Sequence, residues 1–142
     1  MRRKIVLASL FALGAGVALA QGSVIEQRKA EMKAMGAAAG AMSKMMKGEA
    51  PFDLAAVQKG LETIGKNAKS GPALFPEGSD KGDTKAQPDI WLNKAKFDGI
   101  FAKLAEDAPK AAAAIKDEAS FKAEIGKVFG SCGACHKEFR GQ

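Results

Sequence analysis

The stretch Phe121-Lys122-Ala123-Glu124-Ile125-Gly126-Lys127-Val128-Phe129-Gly130-Ser131-Cys132-Gly133-Ala134-Cys135-His136-Lys137-Glu138-Phe139-Arg140 carries both the packing pattern and the chemistry of this chain. Phe121, Ile125, Val128, Phe129, Cys132, His136 and Phe139 follow the three-and-four spacing that marks one face of an α-helix. Within that face lies Cys132-Gly133-Ala134-Cys135-His136, a C-x-x-C-H run, the attachment signature of c-type haem. Residues three apart share a helix face. Cys132 and Cys135 can therefore reach one edge of a porphyrin and form thioethers with its two vinyl groups. His136 follows at once and can place its imidazole over the ring, where it binds iron. These are the only two cysteines and the only histidine in the 142-residue chain.

Three other chemistries use such residues. A disulfide between Cys132 and Cys135 would close a very short loop and stabilise little. A structural zinc ion wants about four ligands, and only three soft donors exist, all adjacent. A thioredoxin-like pair sits near a βαβ pattern, with its thiolate lowered at a helix N-terminus. This pair falls late in a helical pattern, and nothing around it reads as βαβ. Covalent attachment of one haem c is the expectation.

The chain opens with Arg2, Arg3 and Lys4, then an apolar run from Ile5 to Val17, then Ala18-Leu19-Ala20. A basic n-region, an apolar h-region and an A-x-A site make a secretory signal peptide of residues 1–20, with the mature chain of residues 21–142 starting at Gln21. The apolar run is short for a membrane anchor. No later segment is long enough to cross a bilayer, so the mature protein is not expected to be membrane-embedded. The formal charge of +6 falls to +3 without the three basic residues of the leader. The basic character is thus partly that of the targeting segment, and no nucleic-acid partner is implied. What remains is one domain.

All five prolines, Pro51, Pro72, Pro76, Pro88 and Pro109, fall between periodic segments. Proline breaks helix interiors, so the chain divides into four helical pieces. The first covers residues 23–47, with Val24, Met32, Met35, Ala39, Met42 and Met46 on its apolar face and Arg28 beside them. The second starts at Asp53, a suitable N-cap, and carries Leu54, Val57, Leu61, Ile64 and Ala68. Residues 70–88, rich in Gly, Pro and Asp, form the longest loop. The third starts near Asp89, carries Ile90, Trp91, Phe97, Phe101 and Leu104, and ends before Pro109, with a further turn over residues 111–114. The fourth starts near Asp117 or Glu118, and Gly141 can terminate it. Four amphipathic helices with mostly short connections predict an all-α, antiparallel four-helix bundle.

A haem site on the last helix of such a bundle resembles the class II cytochromes c, the family of cytochrome c′ and its low-spin relatives. The likeness extends over nearly all of the mature chain. It runs through Arg28-x-x-x-Met32, Lys47-Gly48-Glu49-Ala50-Pro51-Phe52-Asp53, Leu74-Phe75-Pro76 and Pro88-Asp89-Ile90-Trp91 to Cys132-x-x-Cys135-His136-Lys137-Glu138-Phe139-Arg140. The resemblance implies an up-down-up-down topology, His136 as the proximal ligand, and Arg28 and Arg140 near the haem. Phe139 stands where many members carry tyrosine. Low-spin members supply a distal methionine sulfur from the first helix, and Met32 matches that position. Five-coordinate members leave the distal side open to nitric oxide or carbon monoxide.

These readings converge on a periplasmic electron-transfer cytochrome, held by His136 and Met32, serving redox partner proteins as a monomer or homodimer. The alternative is a five-coordinate gas-binding haem protein. Enzymatic activity is not expected, because a peroxidase wants a distal acid–base group and His136 is the only histidine. Met32 also has an ordinary alternative as core packing in a methionine-rich helix. Arg28 and Arg140 are candidates for the haem propionates, against the simpler role of charges reaching to water. Trp91 and Phe97 are expected to pack on or near the porphyrin. The lysines, such as Lys127 and Lys137, are expected to form a solvated surface, and those nearest the haem edge to steer an acidic redox partner.

Overall fold

The computed structural model describes the backbone of residues 12–142 and the side chains of residues 22–142. The expected leader and its cleavage site after Ala20 lie outside the described side chains, and residues 1–11 lie outside the described residues altogether. The described chain is helical: α1 (Ala12–Met46), α2 (Leu54–Ser70), a 3-10 turn (Gly71–Leu74), α3 (Asp89–Leu92), α4 (Lys94–Ala114) and α5 (Glu118–Phe139). No β-strand occurs among the described residues. An isolated antiparallel bridge pairs Ala86 with Arg140.

Helix starts follow side-chain chemistry. Asp53 has an extended backbone and its carboxylate accepts the Ala56 N–H at 3.1 Å, so it caps α2. Asp117 caps α5 as half of a capping box. It accepts the Ser120 N–H at 2.8 Å, and Ser120 Oγ accepts the Asp117 N–H at 3.0 Å. α1 ends where Gly48 turns into the left-handed region at φ 73°, a conformation that costs glycine little.

Neighbouring helices run antiparallel. Met42 and Ala38 of α1 approach Gly60 of α2, while the Asn67 side chain reaches back to the Glu31 carbonyl. Gly65 of α2 meets Ala108 and Pro109 of α4, and Gly71 meets Phe101. Lys96 at the start of α4 pairs with Glu138 at the end of α5 at 2.5 Å. The result is the up-down-up-down bundle. α1 packs on α2, α2 on α4 and α4 on α5, but α1 and α5 have no comparable seam among the described residues.

Four details differ from the sequence reading. In α1 the buried face takes Ile25 and Met45, while Met46 is 36% exposed. The rhythm of threes and fours holds, one residue out of step at each end. The third helix is divided, because Asn93 leaves helical geometry (φ −123°, ψ 43°) and separates the single turn α3 from α4. α4 then continues through Pro109 instead of ending before it. Pro109 is exposed, and the alanines that follow it are strong helix formers. Finally, α5 is ended by Arg140 turning extended and pairing with Ala86, and Gly141 has no positive φ.

The glycines give a paired test. A Cβ on Gly71 would overlap the Phe101 ring, whereas one on Gly126 meets nothing within 4 Å. Gly71→Ala should lower stability by about 1–3 kcal/mol. Gly126→Ala, in a helix interior, should raise it by roughly 0.5–1 kcal/mol. Urea titration of each variant measures both.

The Asp117 cap gives a pH test. Hydrogen bonds from the Ser120 backbone and side chain hold its carboxylate below the ordinary range. The stability it contributes is present above the unfolded value, near pH 4. It is lost as pH falls through the lower folded value. Asp117→Asn should flatten that acid limb in urea midpoints measured across the carboxylate range.

Candidate functional site

Where α1 and α5 fail to meet, the bundle holds a cavity of about 610 Å³. That volume falls within the roughly 300–1,000 Å³ of cofactor and ligand sites. α1 lines it with Arg28, Lys29, Met32 and Lys33. The loop before α3 adds Phe75, Asp83, Thr84, Lys85 and Ala86. Ile90 and Phe97 contribute from α3 and α4. α5 and its end supply Cys135, His136, Phe139 and Arg140.

The apolar wall is an aromatic cluster. Phe97 is 2% exposed, with its ring centroid 4.8 Å from Phe75, 5.1 Å from Phe101 and 5.3 Å from Phe139. Three of these pairs are edge-on, the arrangement that ring quadrupoles favour. Phe139 also accepts the Gln87 N–H on its carbonyl at 3.0 Å, and the Gly141 N–H donates to the Lys85 carbonyl at 2.8 Å. The end of α5 is thereby tied to the loop that faces it.

The candidate ligands arrive from both ends of the chain. His136 is exposed on α5. Burial, followed by the charge of Arg140, holds its imidazole below the ordinary value, so it is neutral at neutral pH with a lone pair to offer. Met32 is half-buried, one turn after Arg28, and is the one methionine on the cavity wall. Met35 and Met42 are core residues.

Both cysteines are unpaired and half-buried. Burial raises both thiols, with Cys135 pushed up to about 11 by burial, then by Cys132 and Glu138. Cys135 lines the cavity. Cys132 lies one turn earlier, packed on the core, with its thiol donating to the Val128 carbonyl at 3.6 Å. Among the described residues no group of three or more His, Cys, Asp and Glu side chains could hold a bare ion.

Two further residues make contacts that helical spacing did not foretell. Trp91 is not on the cavity wall. Its indole N–H donates to the carbonyls of Phe75 and Pro76 at 3.2 and 2.9 Å, and so pins the loop. Arg28 lines the cavity but is only 3% exposed. Its guanidinium donates to Ser79 Oγ, the Ser79 carbonyl, Thr84 Oγ1 and, at 3.4 Å, the Leu74 carbonyl. It also stacks 4.8 Å over the Phe75 ring. Burial lowers its pKa from the ordinary value, and Asp80 partly offsets this. Arg140 by contrast is exposed at the rim. Sequence reasoning missed Ser79 and Thr84. They lie 51 and 56 residues from Arg28, and no local pattern links them.

The family model described as cytochrome c′ matches residues 23–140. The chain belongs to the cytochrome c′ family. It is 55% identical over 135 residues to a cytochrome c′ from Rhodopseudomonas palustris, an overlap covering 94% of this chain and 92% of that one. It is 41% identical over 140 residues to a cytochrome c-556 from Agrobacterium fabrum, covering 97% and 94%. The solved structure of cytochrome c′ from Rhodopseudomonas palustris matches the fold with a TM-score of 0.82 at 55% identity, over 84% of this chain and 96% of that one.

Membership in the cytochrome c′ family implies haem c, and the cavity suits it. Aromatic and aliphatic walls accept an apolar macrocycle. A neutral imidazole and a thioether are donors that haem iron takes. Lys33, Lys85 and Arg140 offer cations to carboxylates. The described helices include none long and apolar enough to cross a membrane.

Phe97→Ala should cost about 3–5 kcal/mol, the range for emptying a buried aromatic site. Guanidinium denaturation of the haem-loaded protein, compared with wild type, measures it.

Proposed function

We propose that this member of the cytochrome c′ family is an exported, periplasmic electron-transfer protein. It carries one haem c through Cys132 and Cys135, with His136 as proximal ligand and Met32 as distal ligand. The observation that supports this reading most is that Met32 and His136 line the same cavity, from α1 on one side and α5 on the other. The haem supplies a ferrous–ferric couple. The chain sets its terms. The Met32 thioether favours the ferrous state and raises the potential. Phe75, Phe97 and Phe139 exclude water from the interior side, and packed helices hold both ligands in place. Arg140, Lys33 and Lys85 serve the carboxylates. The partners are redox proteins of the periplasm and not nucleic acid.

A second reading is favoured by the 55% identity to a protein called cytochrome c′. In it Met32 only packs, the iron is five-coordinate, and the open face binds nitric oxide or carbon monoxide.

Absorption spectra of both redox states separate the two. The wild-type protein should be low-spin. Met32→Ala should turn it toward high-spin, lower its potential and speed carbon monoxide binding. A wild-type ferrous protein that is already high-spin and binds carbon monoxide without displacing a ligand would establish the second reading. Acid-acetone extraction should leave the colour with the polypeptide, and the intact mass should match residues 21–142 plus one haem.

A further inference from the structure

We propose that Arg28 is a positioning residue that clamps the loop of residues 74–84 onto α1 and so holds one wall of the cavity in place. The argument is a donor inventory. A guanidinium has about five N–H donors. Four are engaged by the loop: two from Nη1, to Ser79 Oγ at 2.9 Å and the Leu74 carbonyl at 3.4 Å, and two from Nη2, to the Ser79 carbonyl and Thr84 Oγ1, both at 2.6 Å. In this arrangement only the Nε donor is left over.

The clamped segment leads directly into the cavity wall formed by Asp83, Thr84, Lys85 and Ala86. Thr84 belongs to both, since its hydroxyl accepts from Arg28 and from the Ala86 N–H at 3.1 Å. Ser79 is fully buried, and its hydroxyl also donates to the Pro76 carbonyl at 2.7 Å. The segment turns at Gly78 and Gly82, with φ of 78° and 116°. It contains no helix or strand of its own after Leu74, so side chains must hold it. The nearby Lys29–Asp83 pair at 2.6 Å contributes little, because Asp83 is 93% exposed. Met32 stands one turn beyond Arg28. The same helix therefore carries the clamp and the proposed distal ligand.

Amide hydrogen exchange of the haem-loaded protein tests the clamp. Local opening of residues 79–87 sets their exchange rate. Thr84→Val removes one acceptor at nearly constant shape. Arg28→Lys keeps the charge but loses the planar fork. Each should speed exchange across residues 79–87 by roughly tenfold or more, as expected for loss of a hydrogen bond to a charged group. Exchange in α2 should stay unchanged, while Asp83→Asn should alter the loop rates by less than about twofold. Carbon monoxide should enter the ferrous Thr84→Val protein faster than wild type, a change in access that a stability loss elsewhere would not produce.

Protection that persists in both Thr84→Val and Arg28→Lys would overturn the proposal. So would protection retained in Thr84→Val with a shifted reduction potential only in Arg28→Lys, the pattern of an arginine acting directly on the cofactor. The inference takes its setting from the cavity reading above, but the exchange readout is independent of ligation. A high-spin wild type would defeat the Met32 assignment and leave the exchange result standing.

Discussion

The structure depends on one separation: α1 and α5 are held apart while every other adjacent helix pair in the bundle closes. An apolar gap of this kind is costly when empty, since its lining forfeits both burial and dispersion contacts. The fold supports it from behind. Phe75 of the loop, Phe101 of α4 and Phe139 of α5 each pack edge to face against Phe97 of α4 along one side of the gap. The rest of the core, from Met42 and Leu61 to Phe121 and Ile125, closes the bundle elsewhere. The chain has thus concentrated its aromatic rings where a flat group would need a firm backing.

Across the gap, the structure uses hydrogen bonds in place of helix packing. The loop before α3 has little regular structure, yet it is tied on three sides. Arg28 holds it from α1, Trp91 from α3, and the backbone of Phe139 and Gly141 from the end of α5. A buried guanidinium is tolerable only when its donors are satisfied, and no buried side-chain nitrogen or oxygen among the described residues lacks a partner. The clamp is therefore conditional on the loop. Loss of its acceptors would leave a charge facing an apolar cavity.

The electrostatics divide by position. Along α4 and α5 most lysines are paired within their own helix, as in Lys94–Asp98, Lys110–Glu106 and Lys122–Glu118. These are exposed i,i+4 pairs, each contributing only tenths of a kcal/mol by the usual measure, on the order of 0.3–0.5 kcal/mol. At the cavity mouth Lys33, Lys85 and Arg140 form no ion pair with another described residue, while Lys29 is shared between Glu26 and Asp83. The mouth can therefore accept acidic groups without first breaking internal pairs.

The helical class, the cap at Asp53, the start of the last helix near Asp117 and the C-x-x-C-H run were all legible in the sequence, because each is local. Spacing within one helix places Cys132, Cys135 and His136 together without reference to the rest of the chain. The core stripe was legible for the same reason, with an error of one residue at the ends of α1. Pro109 was misleading because the proline rule is local, whereas α4 continues through it with Ala108 and Ala111 packed into the core. The role of the Trp91 N–H was not legible either, since a hydrophobic ring in a helix does not announce that its N–H will seek loop carbonyls. Tertiary structure alone decided that Met32 and His136 line a common cavity, and that Arg28 spends its donors on Ser79 and Thr84. Contacts spanning 50 residues or more depend on how whole helices pack, and no short-range periodicity encodes them.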